Sequence, residues 1–116
     1  MIELFDEIVE LVSDSLIQVY GWNRSILELA VLVENPGTVI SGTLTFSEVQ
    51  HFCLPSATKV SRFEKRLAGD LPAHFWESAS VSRGSFQADQ PFFLFADPEG
   101  KRFFVVADTV RYDAEA

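Results

Sequence analysis

The chain has 116 residues, of which 47% are apolar and 22% are charged, and this size and balance predict one globular domain over residues 1–116. Seventeen acidic residues against nine basic ones give a net charge of −8, the wrong sign for neutralising phosphates, so we expect neither nucleic acid nor an anionic membrane as a partner. No apolar run approaches the roughly 18 residues that a membrane span requires, and the acidic start lacks the pattern of a signal peptide, so we expect a cytoplasmic protein.

The first predicted element is an amphipathic helix over residues 2–12. Its apolar side chains recur at helical spacing, and the opposite face carries four acidic residues, Glu3, Asp6, Glu7 and Glu10. From Leu16 the composition becomes β-branched and aromatic, which predicts the first strand. Residues 25–34 are apolar on both faces in their middle, which is typical of a strand near the centre of a sheet that is covered on both sides.

Turn residues and alternation organise the middle of the chain. The Asn-Pro-Gly sequence at 35–37 predicts a tight turn, and residues 38–46 then alternate apolar and polar side chains as a half-buried antiparallel strand does. Gly42 falls on the apolar face of that strand, where it marks a bulge or the close approach of another element. Uneven apolar spacing over 47–54 predicts a bulge or tight turn between two strands. Helical spacing of the apolar residues over 56–68 predicts a short surface helix.

The last third of the chain ends in a predicted β-hairpin. Residues 71–78 allow two interpretations: Pro72 starts a helical turn, or the aromatic pair at 75–76 fills the end of the core. Residues 78–88 are predicted, by composition, to form a weak strand. Residues 91–113 contain two aromatic and β-branched runs joined by a type I turn at 97–100. The elements predict an α+β fold with a predominantly antiparallel, curved sheet of about five to seven strands, an N-terminal amphipathic helix and a short second helix.

Motifs that carry chemistry are mostly absent from the sequence. His51 and Cys53 lie two residues apart on a predicted strand, so that an imidazole and the chain's one thiol share a face, as an activated nucleophile requires. A buried structural cysteine explains the same residue more simply. His74 would complete only three metal ligands, whereas a structural zinc site needs four. We therefore predict no catalytic residues, no metal and no cofactor.

The distinctive feature of the composition is its aromatic residues, eleven Phe, two Tyr and two Trp. Adjacent phenylalanines of the last hairpin point to opposite faces of a strand, so either the domain covers both faces or one face presents aromatic surface to a partner. Tyr20 and Trp22, two residues apart, are expected on one face at an interface or a pocket rim. The predicted binding surface consists of Tyr20, Trp22, Phe93, Phe95 and Phe103.

These features favour a non-enzymatic interaction module that binds another protein or a second copy of itself as a homodimer. The acidic half of the chain, residues 1–50 with the predicted helix face, would attract a basic partner, by analogy with immunity proteins and antitoxins. A basic run at 59–66 is expected to be a solvated face. The alternative is a small-molecule carrier with an aromatic cavity lined by Tyr20, Trp22, Phe46, Trp76 and Phe93. An enzyme that uses Cys53 and His51 is the third hypothesis.

Overall fold

The computed structural model describes residues 1–34, 38–78 and 82–114, with the backbone alone at 33–34, 38–40 and 78. Within these residues the chain forms two helices, α1 (Phe5–Val12) and α2 (Ala73–Ser78), and nine strands. The strands are β1 (Leu16–Asn23), β2 (Ile26–Glu34), β3 (Thr38–Ser47), β4 (His51–Cys53), β5 (Ala57–Lys59), β6 (Arg62–Leu67), β7 (Pro91–Ala96), β8 (Arg102–Val106) and β9 (Thr109–Ala114). The predicted α+β class is confirmed.

The strands divide between two antiparallel sheets. The first sheet has the order β5-β1-β2-β3-β9 and the second has the order β4-β8-β7-β6. The central position predicted for residues 25–34 is confirmed, because β2 lies in the middle of the first sheet between β1 and β3. The predicted tight turn between β3 and β4 is also present, with Glu48 at a positive φ of 56°. The turn predicted at 35–37 lies outside the described residues.

The main core lies between the two sheets. Phe93 and Phe95 of β7 pack against Phe46 of β3, with ring centroids 5.3 and 6.3 Å apart. Helix α1 contacts β6 of the second sheet and β9 of the first, and it buries Ile8 and Val12 in this core. The apolar face predicted from helical spacing is therefore the face that folds inward.

A second cluster covers the outer face of the second sheet. Helix α2 places Phe75 against Phe92 of β7 and Phe104 of β8, with ring centroids 5.8 and 5.5 Å apart. Phe93 and Phe95 face inward, whereas Phe92 and Phe104 face α2. The protein thus covers both faces of the aromatic hairpin itself, which is the first of the two alternatives that adjacent phenylalanines allow.

Two elements differ from the sequence prediction. The helix predicted over 56–68 is wrong, because this segment forms β5 and β6, which pair with β1 and β7 respectively. The few apolar residues of this segment also fit helical spacing, which is a weak preference. The backbone N–H and C=O groups instead form hydrogen bonds with β1 and β7. The weak strand predicted over 78–88 is also wrong where the structure describes it, since Arg83–Ser85 forms a 3₁₀ turn. The second helix of the structure is instead α2, directly after Pro72, so the first of the two alternatives for that segment is the one observed.

The hairpin turn between β7 and β8 has the predicted chemistry. One carboxylate oxygen of Asp97 accepts hydrogen bonds from the backbone N–H of Glu99 at 2.9 Å and of Lys101 at 2.8 Å. Gly100 adopts a φ of 88°, a left-handed conformation that favours glycine. In the part of the chain described by the structure, no helix is long and apolar enough to cross a membrane.

Candidate functional site

The end of the β1–β2 hairpin exposes two aromatic side chains and one aliphatic side chain on different faces of the sheet, because Trp22 lies opposite the buried Leu27, whereas Ile26 lies in the adjacent row. A two-residue turn, Arg24-Ser25, joins the strands, and Arg24 has a positive φ of 57°. Tyr20 is 71% exposed, Trp22 is 47% exposed and Ile26, directly after the turn, is 44% exposed. We call residues 20–26 the hairpin tip. Single exposed apolar residues are ordinary, but three large ones around one turn make this end of the hairpin a candidate contact surface.

Local packing and strand geometry define how the hairpin tip presents its rings. Trp22 packs edge-on against Phe52 of β4, with ring centroids 5.1 Å apart, and is still 47% exposed. The β1–β2 register shifts between Val19 and Gly21, which makes Tyr20 the extra residue of a β-bulge. Simple alternation predicts that Tyr20 and Trp22 share a face. A bulge changes the direction of the side chains around it, so this prediction does not hold for the bulged strand.

Acidic residues lie beside the hairpin tip. Glu28 of β2 pairs with Gly21 across the hairpin, and its side chain is half-buried. Glu48 is exposed and adjacent to Val49, whose backbone N–H donates to the carbonyl oxygen of Ser25 at 2.9 Å. The hairpin tip therefore has Glu28 and Glu48 next to it in the fold and the exposed Arg24 in its turn, so charged residues accompany its apolar side chains, as at the polar rim of a protein interface.

The predicted acidic face of α1 is exposed to solvent. Asp6, Glu7 and Glu10 lie on α1, which begins at Phe5 rather than at residue 2 as predicted, and Glu3 lies two residues before it; all four are exposed. The opposite side of the helix buries Ile8 and Val12. The carboxylates are therefore free to act over a distance on an approaching charged molecule, and Asp6 and Glu7 also lie in the first helical turn, where negative charge is favourable.

The aromatic surface predicted from the sequence needs a correction at the last hairpin. Phe93 and Phe95 are each 1% exposed and lie between the sheets, so neither can contact a partner in this fold. Phe103 is half-buried and packs against the same core. Tyr20 and Trp22 are the members of the predicted set that reach the surface. Ile26 is not in the predicted set. Its position as an apolar residue directly after a two-residue turn is the signal in the sequence that points to it.

The predicted lining of a carrier cavity does not come together. Phe46 and Phe93 fill the space between the sheets by contacting each other. Trp76 lies on the other face of the second sheet, where its ring is 5.5 Å from that of Phe92. Tyr20 is exposed at the hairpin tip. These side chains therefore occupy three separate environments and enclose no shared space.

The His51 and Cys53 pair lies on the short edge strand β4. The His51 ring packs over Phe104, with ring centroids 5.7 Å apart, and Cys53 is exposed rather than buried, contrary to the simple structural explanation of this cysteine. Among the described residues, no group of three or more His, Cys, Asp or Glu side chains is placed to hold a metal ion.

The basic run at 59–66 is not a uniform face. Arg62 and Arg66 project from the outer face of β6 and, with Arg102 of β8, line a surface cleft. Lys65 lies on the other side of the strand, with its ammonium 6.0 Å from the ring centroid of Phe93.

Comparison with protein-family models, with curated proteins and with solved structures finds no match for this chain.

Proposed function

We propose that this protein is a non-enzymatic binding module that engages a basic protein partner through the hairpin tip. The single observation that supports the proposal is the exposure of Tyr20, Trp22 and Ile26 around one two-residue turn. Tyrosine and tryptophan are the side chains that most often dominate binding energy at protein interfaces, because they bury a large area and carry a polar group. Large exposed apolar side chains favour association, and a partner that packs around the end of the hairpin would cover side chains on both of its faces.

Support of Trp22 by Phe52 strengthens this argument. A ring that is already held in place loses little rotamer entropy when a partner covers it, so more of the contact energy contributes to affinity. The hairpin tip joins β1 to β2, the central strand of the first sheet. Because β2 pairs with β1 on one side and with β3 on the other, its end of the tip is anchored on both sides. The hairpin tip is therefore a preorganised surface on a rigid scaffold.

Charge favours a basic partner over a second copy of the chain. Each molecule carries a net charge of −8, so two copies repel each other, whereas a basic protein is attracted. Residues 1–50 contain most of this excess, including Glu28 and Glu48 beside the tip and the four exposed acids on and just before α1. Carboxylates at the edge of an interface act mainly on the rate of association.

Photo-crosslinking at the hairpin tip tests the proposal. Benzoylphenylalanine at position 20 is expected to crosslink one basic protein in a lysate of the source organism, while the same probe at exposed position 83 gives no such product. The purified partner is then expected to bind the Tyr20→Ser and Trp22→Ser variants at least about tenfold more weakly, as loss of an interface hot spot of 1.4 kcal/mol or more requires. Equal crosslinking at the two positions, or a dimer of this chain as the product, would contradict the proposal.

Reversing the acidic face of α1 separates attraction from contact. The fourfold variant Glu3→Lys, Asp6→Lys, Glu7→Lys and Glu10→Lys is expected to slow association with that partner by about tenfold or more at low salt, because charge steering acts before contact. The difference from the wild type is expected to shrink as ionic strength rises, since a Debye length of about 8 Å at 0.15 M salt screens these charges. An association rate unchanged at low salt, measured by surface plasmon resonance, would remove the acidic face from the proposal.

A further inference from the structure

A second surface feature, independent of the hairpin tip, is a cleft on the outer face of the second sheet. It has a volume of about 550 Å³ and lies between helix α2 and the turn that joins β7 to β8. Its lining includes Arg62, Arg66 and Arg102 as well as Leu94 and Phe75. We call it the arginine cleft.

The register of the second sheet explains why these residues meet. Arg62 of β6 pairs with Ala96 of β7, which pairs in turn with Arg102 of β8, so two arginines flank one small residue in the same row of the sheet. In the next row of the same face, Leu94 lies beside Phe104. Helix α2 covers Phe104 with Phe75 and stops short of Ala96, so Leu94 and Ala96 remain half-buried as an apolar floor.

The arginines on β6 are already arranged around a carboxylate. Glu64, between them on the strand, lies 3.5 Å from the Arg62 guanidinium and 3.6 Å from that of Arg66, through different oxygens. Both guanidinium groups therefore lie on the side of the sheet that bears the cleft. The lining of the cleft contains three arginines and two acidic residues, Glu64 and Asp97. The cleft therefore has a local excess of positive charge, although the whole protein has a net charge of −8.

We propose that the arginine cleft binds a small organic anion, an apolar group that carries a carboxylate or a phosphate. Planar guanidinium groups match both oxyanions, and their charge-assisted hydrogen bonds are stronger than neutral ones. The volume suits a ligand of small-molecule size, and the floor of Leu94 and Ala96 suits its apolar part. An acidic protein or nucleic acid would meet the repulsion of the whole molecule, whereas a small anion feels mainly the local charge.

Titration with defined probes tests the ligand chemistry. Benzoate and phenyl phosphate are expected to shift the amide NMR signals of Leu94 and Ala96 at millimolar concentrations. Benzamide, which has the same shape without the charge, is expected to bind at least about tenfold more weakly, because it loses a charge-assisted contact. Inorganic phosphate, which lacks the apolar group, is expected to bind more weakly than phenyl phosphate. Equal binding of benzamide, equal binding of inorganic phosphate, or no shift with benzoate and phenyl phosphate would overturn the proposal.

Variants of the cleft give the matched comparison. Arg62→Gln combined with Arg102→Gln is expected to weaken whichever of benzoate and phenyl phosphate binds more tightly by about tenfold or more. Arg111→Gln is the control, because Arg111 is also an exposed strand arginine beside a carboxylate two residues away, Asp113, but on the first sheet. Equal affinities of the two variants would overturn the proposal. Because the hairpin tip is intact in both variants, this test and the crosslinking test can fail separately.

Discussion

Replacing Phe93 with alanine is expected to lower the free energy of unfolding by about 3–5 kcal/mol, the usual range for deleting a fully buried phenylalanine side chain. Phe93 is 1% exposed, and its ring centroid lies 5.9 Å from that of Phe5 and 5.3 Å from that of Phe46. The cavity would open between two sheets and α1, where backbone pairing limits how far the walls can collapse. Urea denaturation followed by circular dichroism measures the change.

Phe103→Ala is the matched control for this prediction. Phe103 lies on the same hairpin but is half-buried, so its removal takes less apolar surface out of the core and leaves a gap that water can reach. We expect a loss of about 1–2 kcal/mol. Equal losses for the two variants would contradict the inward orientation of Phe93, and with it the conclusion that only part of the predicted aromatic surface is available to a partner.

Gly42→Ala is expected to destabilise the protein by about 1–3 kcal/mol, as overpacking of a well-packed core does. A Cβ atom at this position of β3 would overlap the ring end of Tyr112 and would lie 2.6 Å from the backbone oxygen of Asp113. The ring is held there because the Tyr112 hydroxyl donates a hydrogen bond to the Ser41 hydroxyl at 3.2 Å. Relief of the overlap would require movement of β9, since a backbone oxygen cannot rotate away.

Gly21→Ala provides the comparison, because a Cβ atom on Gly21 of β1 would meet nothing within 4 Å. We expect this variant to be as stable as the wild type or slightly more stable, since alanine lowers the entropy of the unfolded chain. Both variants are measured by thermal and urea denaturation. A Gly42→Ala protein as stable as Gly21→Ala would show that β9 does not approach β3 as closely as described.

Gly42 illustrates what a pattern in the sequence can and cannot indicate. A glycine on the apolar face of a strand predicts either a bulge or the close approach of another element. The structure shows both: Tyr112 approaches Gly42 closely, and the β2–β3 register shifts beside it, with Ser41 of β3 as the extra residue of a bulge. The partner is 70 residues away along the chain, so nothing in the local sequence identifies it.

The candidate sites show the same division. Composition and turn chemistry predict exposed aromatic residues at 20 and 22. The same signals group Phe93 and Phe95 with them, because strand alternation does not say which face meets the core. The arginine cleft could not be predicted at all. It requires Arg62 and Arg102 to flank Ala96, and strand register across a sheet is decided by the packing of the whole face.

The sequence by itself determined the elements whose signals are local. The α1 helix and the Asp97 turn form hydrogen bonds within a few residues, and the alternation of β3 repeats every two residues, so these patterns are legible along the chain although β3 itself pairs with β2 and β9. Only the tertiary structure decided that residues 57–67 are strands and which face of β7 is covered by α2. These outcomes depend on pairing and burial between distant segments, whose energies outweigh the weak preferences of short apolar runs.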